Sequence, residues 1–229
     1  MYKTKNFLIK NYKWIFLIIC IIGFLFLVEK IKSNNIATFD EKGYSFISNN
    51  FAIKDMAKIA KFISNFAGKY WLIGFSIGLF IILKNKIISV FILLNLGFSA
   101  LLNFIIKNII QRPRPPIEYR LAEESGYSFP SGHAMVSMAY YGVLIYLIYK
   151  NIKNKYLKTL LILLLSIIII TIGISRIYLR VHYTSDVIAG YLLAISYLII
   201  YISSINSKKI IYYTKKFKND KSEIKNQIN

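Results

Sequence analysis

The sequence predicts an all-α fold: a polytopic membrane protein built as a bundle of six transmembrane helices. Three observations carry this. Of the 229 residues 56% are hydrophobic, and the mean hydropathy is +0.50. The apolar residues gather into six runs near the ~20 residues that a membrane-spanning helix requires. Lysine and arginine, finally, fall unevenly between the alternate connections, as they do in membrane proteins. Six spans in a chain of this length leave no room for a large soluble domain. The expected organisation is one membrane domain over 1–205 and a basic tail over 206–229.

The first span, roughly 14–30, contains "WIFLIICIIGFLFLV". A lysine-bearing start precedes it and "EKIKSNN" follows, without a small-residue cleavage pattern, so it reads as an uncleaved anchor. Cys20 lies inside it, is the one cysteine, and reads as inert packing. Residues 29–69 form the longest connection. Within them Met56, Ile59, Ile63 and Phe66 recur at helical spacing, with Lys58 and Lys61 on other faces. This predicts an amphipathic helix on the outer surface, either beside a lipid entrance or packed on the bundle. The remaining spans are expected over roughly 66–83, 87–106, 134–150, 157–175 and 187–205. Trp14, Trp71 and several tyrosines stand near span ends, as interfacial anchors do.

The formal charge of +20 invites a nucleic-acid reading, but its distribution argues for a membrane. With the N-terminus in the cytoplasm, the inner segments 1–13, 84–86, 150–158 and 206–229 carry 4, 2, 4 and 7 of the 30 basic residues. Asp220 and Glu223 are the only acids there. Both termini are therefore expected inside, with the tail beside anionic lipid. Nucleic acid is not an expected partner.

The other two outward connections, 107–133 and 176–186, open on one side of the membrane and hold the unusual chemistry. They contain or border "KNIIQRPRP" (107–115), "PSGH" (130–133) and "SRIYLRVHYTSD" (175–186). Charges at the edge of apolar spans are costly and ask for a functional reason. Lys107, Arg114 and Arg176 offer one ammonium and two guanidiniums, groups suited to wrapping a phosphate. Pro113 and Pro115 stiffen the backbone around Arg114. In "PSGH", Gly132 lets the backbone approach a ligand, Ser131 brings a hydroxyl and an amide, and the next helix offers its N-terminus to an anion. His133 and His182 are the two histidines of the chain, and both lie in these clusters. His182 and Asp186 are spaced i, i+4, so a carboxylate there can orient the imidazole and leave its other nitrogen as a nucleophile. A capping role for Asp186 at the last span is the lesser alternative and does not exclude the catalytic one. His133 is then free to act as a general acid. Glu118, Glu123 and Glu124 are expected to gate the site or to pair with Arg112 and Arg120, and no catalytic metal or other cofactor is expected.

These clusters resemble the signature of the type 2 phosphatidic acid phosphatases, whose superfamily includes bacterial acid phosphatases and vanadium haloperoxidases. Lys107, six residues, then Arg114-Pro115 match the first element. Pro130-Ser131-Gly132-His133 match the second, and Ser175-Arg176, His182 and Asp186 the third. The signature covers 107–186. The resemblance implies a haloperoxidase-like helical core with its site at the outer face of a bacterial cell membrane. It implies that His182 attacks phosphorus, His133 protonates the leaving oxygen and then activates water, and Asp186 orients His182. Lys107, Arg114, Ser131, Gly132 and Arg176 would hold the phosphoryl oxygens, without a metal. The expected substrate is a lipid phosphate, first undecaprenyl diphosphate, with phosphatidylglycerol phosphate or phosphatidic acid as alternatives. A lipid phosphotransferase and a non-catalytic phospholipid-binding or transport protein are the competing readings, and the sequence leaves the oligomeric state open.

Overall fold

The structure is a computed structural model that describes residues 2–51 and 54–205, the side chains of 2–10 excepted. The basic tail expected over 206–229 lies outside the described residues. The fold is all helical: α1 (Tyr2–Lys32), α2 (Ala37–Asn50), α3 (Met56–Asn65), α4 (Lys69–Ile82), α5 (Lys86–Ile110), α6 (Gly132–Asn151), α7 (Lys155–Tyr178) and α8 (Thr184–Ile205), with one 3₁₀ turn at Ile117–Tyr119. Helices α1, α5, α6, α7 and α8 are long and apolar enough to cross a membrane, and α3 with α4, bent by 44°, passes the same test as a pair and counts as a sixth span if the two cross as one. The chain is a multi-pass membrane protein.

The bent pair departs from the continuous span expected over 66–83. Gly68 adopts an extended backbone (φ −67°, ψ 144°) and breaks the helix. The 14 residues of α4 rise only about 21 Å, short of a hydrocarbon core of about 30 Å. The amphipathic face of α3 is also displaced from the expected one. Ala60 and Ser64 are buried, whereas Ile59 and Phe62 point outward. Small side chains let α3 approach α7, where Ala60 meets Leu179 and Val181.

Helix α6 is the centre of the bundle, packed against α5, α7 and α8, while α1 covers α8. Its contact with α8 is tight: a Cβ on Gly190 would lie 2.9 Å from the Ser131 carbonyl oxygen. The inner face of α5 is Ser89, Ile92, Asn95, Ser99 and Asn103. Its amides reach α6 and the approach to it: Asn95 Nδ2 donates to the Ala139 carbonyl (3.0 Å) and Asn103 Nδ2 to that of Pro130 (3.3 Å). Such bonds suit a medium without water, where each polar group needs a partner within the protein. Phe98, Leu101 and Phe104 of the same helix face outward, as do Leu160, Leu163 and Ile167 of α7. These surfaces are apolar because lipid is their solvent.

Candidate active site

The two polar connections meet at one end of the bundle. The Leu121 amide donates to the Leu179 carbonyl (2.9 Å), and the Ser131 amide to that of Asp186 (3.0 Å). The clusters 107–115, 130–133 and 175–186 therefore share one region. His182 sits on the turn between α7 and α8 and is 2% exposed. Arg114 Nη1 donates to its Nε2 at 3.1 Å. A guanidinium only donates, so Nε2 carries a lone pair and the ring proton resides on Nδ1.

Behind Nδ1 the arrangement differs from a simple histidine–aspartate pair. Asp186 Oδ2 is 3.5 Å from Nδ1, at the limit of a hydrogen bond. Ser128 stands between them, its Oγ 3.3 Å from Nδ1 and donating to Asp186 Oδ2 at 2.5 Å. The Nδ1 proton can thus reach the carboxylate through one hydroxyl. Asp186 is wholly buried and well satisfied. It accepts from the Tyr183 amide (2.9 Å), as the third residue of a helix does in a capping box, and from Arg112 Nη1 (2.6 Å). Capping α8 and facing the imidazole are both part of its geometry.

The three cations expected around a phosphate converge near this imidazole. Arg114 Nε donates to the Gly126 carbonyl (3.0 Å), Nη1 to that of Val181 (2.8 Å) and Nη2 to that of Ser125 (2.9 Å). The guanidinium is fixed. Arg176 is 3% exposed and donates to Ser64 Oγ on α3 and to Glu124 Oε1. Its Nε is buried and has no acceptor among the described residues. Lys107 Nζ donates to the carbonyls of Tyr127 (2.5 Å) and Ser128 (3.2 Å). The charges of Arg176, Arg114 and Lys107, and the imidazole of His182, all bear on His133 at the first turn of α6.

Burial pushes the pKa of His182 well below its ordinary 6.5, and Arg114, Arg176 and Lys107 push the same way. The imidazole is neutral. For Arg112 burial works against the charge, but Asp186 and Asp40 outweigh it and raise the pKa.

Other expectations need adjustment. Ser131 caps α6, its Oγ accepting from the Ala134 amide at 3.4 Å. Its own amide is spent on Asp186, so of the two donors only the hydroxyl hydrogen remains for a ligand. A Cβ on Gly132 would lie 3.1 Å from Asn103 Oδ1, so the glycine also serves packing against α5. Of the three glutamates, Glu124 enters the site, and it pairs with Arg176 and Arg114 (3.7 Å). Arg112 instead binds Asp40 and Asp186, and Arg120 donates to the carbonyls of Pro115 (2.6 Å) and Glu124 (3.4 Å). Glu124 also lines an open groove of about 860 Å³ with Glu123, Arg120 and Lys61. A smaller cavity of about 180 Å³ borders His182 from the side of α2. Ser128, Ser64, Asp40 and Arg112 complete the cluster without having been singled out as site residues. A basic residue two before the Arg114-Pro115 pair was the only available signal, and it marked Arg112.

Fold and cluster together define the class: a polytopic membrane protein with a buried, cation-rich polar site at one end of its bundle. The chain belongs to the PAP2 superfamily, whose family model matches residues 88–210. Phosphatidylglycerophosphatase B of Bacillus subtilis (strain 168) is 38% identical over 105 residues, 45% of this chain and 51% of that protein. The chain thus spans about half the length of the curated relative it matches. The crystal structure of the transmembrane PAP2 type phosphatidylglycerolphosphate phosphatase from Bacillus subtilis aligns with a TM-score of 0.72 at 26% identity, over 84% of this chain and 98% of that one. That of Aquifex aeolicus LpxE aligns with a TM-score of 0.57 at 25% identity, over 70% and 92%.

Proposed function

We propose that this protein is a membrane lipid phosphatase that works through a phosphohistidine on His182. One observation carries the reading. The imidazole lone pair of His182 faces Arg114, and a carboxylate, Glu124, already lies on the guanidiniums of Arg114 and Arg176. A phosphoryl group entering from the groove replaces that carboxylate as the anion, and Nε of Arg176, which has no acceptor among the described residues, gains one. Three fixed cations and the N-terminus of α6 then neutralise charge on the equatorial oxygens, the main requirement of phosphoryl transfer.

His182 Nε2 attacks phosphorus, forming an N–P bond as the bond to the lipid oxygen breaks. His133, as the imidazolium, gives that oxygen a proton and becomes neutral. The phosphorylated imidazole becomes cationic and is stabilised by Asp186 through Ser128. His133 then takes a proton from water, the oxygen attacks phosphorus, the N–P bond breaks, and inorganic phosphate leaves. Lys107, Ser131 and Gly132 complete the cradle. The lysine distribution supports cytoplasmic termini and an outward-facing site. Likeness to phosphatidylglycerophosphatase B favours phosphatidylglycerol phosphate as substrate. Undecaprenyl diphosphate, the first expectation from the sequence, is the second candidate, because the cradle grips phosphoryl oxygens and leaves the lipid tail in the bilayer.

The test is phosphate release by purified, detergent-solubilised protein from both lipids and from phosphatidic acid, in EDTA, with and without vanadate. The reading expects release that vanadate suppresses as a transition-state mimic. Phosphate passed to an acceptor other than water would identify a phosphotransferase. Lipid binding without turnover, unaffected by His182→Ala, would identify a binding protein.

A further inference from the structure

The family match begins at residue 88, yet a helix well before it reaches the site. Helix α2 carries the buried carboxylate of Asp40 against Arg112: Nη2 donates to Asp40 Oδ2 at 2.6 Å. The other arm of the same guanidinium, Nη1, donates to Asp186 Oδ1 at 2.6 Å and to Ser185 Oγ at 2.8 Å. Asp40 Oδ1 accepts from the Ser185 amide at 2.8 Å, and its carbonyl accepts from Thr184 Oγ1 at 3.3 Å. The Arg112 guanidinium also lies over the Tyr183 ring, 4.0 Å from its centroid. Helix α2 is pressed onto the start of α8 so closely that a Cβ on Gly43 would fall 2.3 Å from Thr184 Oγ1.

A planar fork held at both arms and one face has a single orientation. We propose that Asp40 is a positioning residue for the phosphoryl-transfer step. It fixes the angle of Arg112, Arg112 fixes Asp186, and Asp186, through Ser128, fixes the imidazole of His182. Without Asp40, Arg112 would be held through Nη1 and the Tyr183 ring only, with Nη2 loose, and could pivot in its own plane, taking the carboxylate and imidazole with it. Asp40 bonds to Arg112, Ser185 and Thr184, none of which holds the phosphoryl oxygens in the proposed cradle, so it governs turnover rather than anion binding. The inference rests on His182 being the nucleophile.

The experiment uses the full-length protein in detergent, with phosphatidylglycerol phosphate as substrate and vanadate as inhibitor. Asp40→Asn is expected to lower kcat about tenfold, the scale of a small misplacement of a reacting group. KM should stay within about twofold of wild type, since the cations that hold the phosphate are unchanged, whereas the vanadate inhibition constant should rise in parallel with the loss of kcat, because vanadate mimics the transition state. In an Arg112→Met background Asp40→Asn should cost nothing further, because residues acting as one unit are not additive. Equal losses in both backgrounds would mean that Asp40 merely anchors α2 and would overturn the proposal, as would wild-type kcat in Asp40→Asn. Should Asp40→Asn not fold, Arg112→Lys, one amine facing two acids, must show the same loss of kcat at unchanged KM, and an unchanged kcat there overturns it too. An inactive wild type would sink the phosphatase reading and this inference together. An active wild type with an indifferent Asp40→Asn would sink this inference alone.

Discussion

The carboxylate of Glu124 accepts a hydrogen bond from Arg176 Nη2, and the same carboxylate lies 3.7 Å from Arg114. An internal anion therefore sits on the guanidiniums that the proposed mechanism needs for phosphate. Any entering anion must displace it, and the apparent affinity falls by the fraction of sites that Glu124 occupies. Glu124→Gln keeps the shape and removes the charge. The vanadate inhibition constant should fall about tenfold, with a parallel drop in KM. Weaker vanadate binding in that variant would show that Glu124 helps to build the cradle instead of competing for it.

The pH dependence follows from the surroundings of His182. Burial, then Arg114, Arg176 and Lys107, hold its pKa well below 6.5, so the nucleophile stays neutral and the acid limb of kcat/KM lies below pH 6.5. Arg114→Gln removes one of the cations that depress the pKa and should move that limb to higher pH, whatever happens to the maximal rate. A limb that moves to lower pH would contradict this assignment. Stability carries the same sign. An unfolded histidine binds its proton near pH 6.5 while the folded one resists, so the contribution is complete above that value and declines as the pH falls.

The α6–α8 seam predicts a packing effect. A Cβ at residue 190 would meet the Ser131 carbonyl oxygen at 2.9 Å, Ala134 Cβ at 3.2 Å and the Met135 amide at 3.2 Å. Two of these are backbone atoms, which cannot swing aside. Gly190→Ala should destabilise the protein by about 1–3 kcal/mol and lower activity, because it displaces Ser131 and the start of α6. Thermal melting in detergent reads the first effect and phosphate release the second. An unchanged melting temperature would mean that the helices separate freely at this point.

The long apolar spans and the residues Lys107, Arg114, Ser131, His133, Arg176, His182 and Asp186 were legible because each carries a strong local signal, either length or spacing. Helix α2 was not. Its buried face carries Asp40 and Ile47, while Phe39 and Phe46 face outward, the reverse of the pattern by which an amphipathic helix is recognised. The tie of Asp40 to Arg112 spans 72 positions, and nothing local announces it. Ser128 is a lone serine whose place between Nδ1 of His182 and Asp186 exists only in three dimensions. Which of three neighbouring glutamates enters the site was likewise open, because the segment that carries them is a loop with no periodicity to assign a face. The bend at Gly68 was not legible because the apolar run over 71–83 is too short to span alone, and extending it back to residue 66 hides a break inside the span.

The central claim is that His182 becomes phosphorylated, and rapid-quench labelling tests it most directly. Protein mixed with substrate labelled in its terminal phosphate should acquire an acid-labile, alkali-stable label on His182. The label, once formed, should decay more slowly in His133→Ala, where water is not activated, and should be absent from His182→Ala. Full turnover with no covalent label, or a label that persists in His182→Ala, would contradict the account.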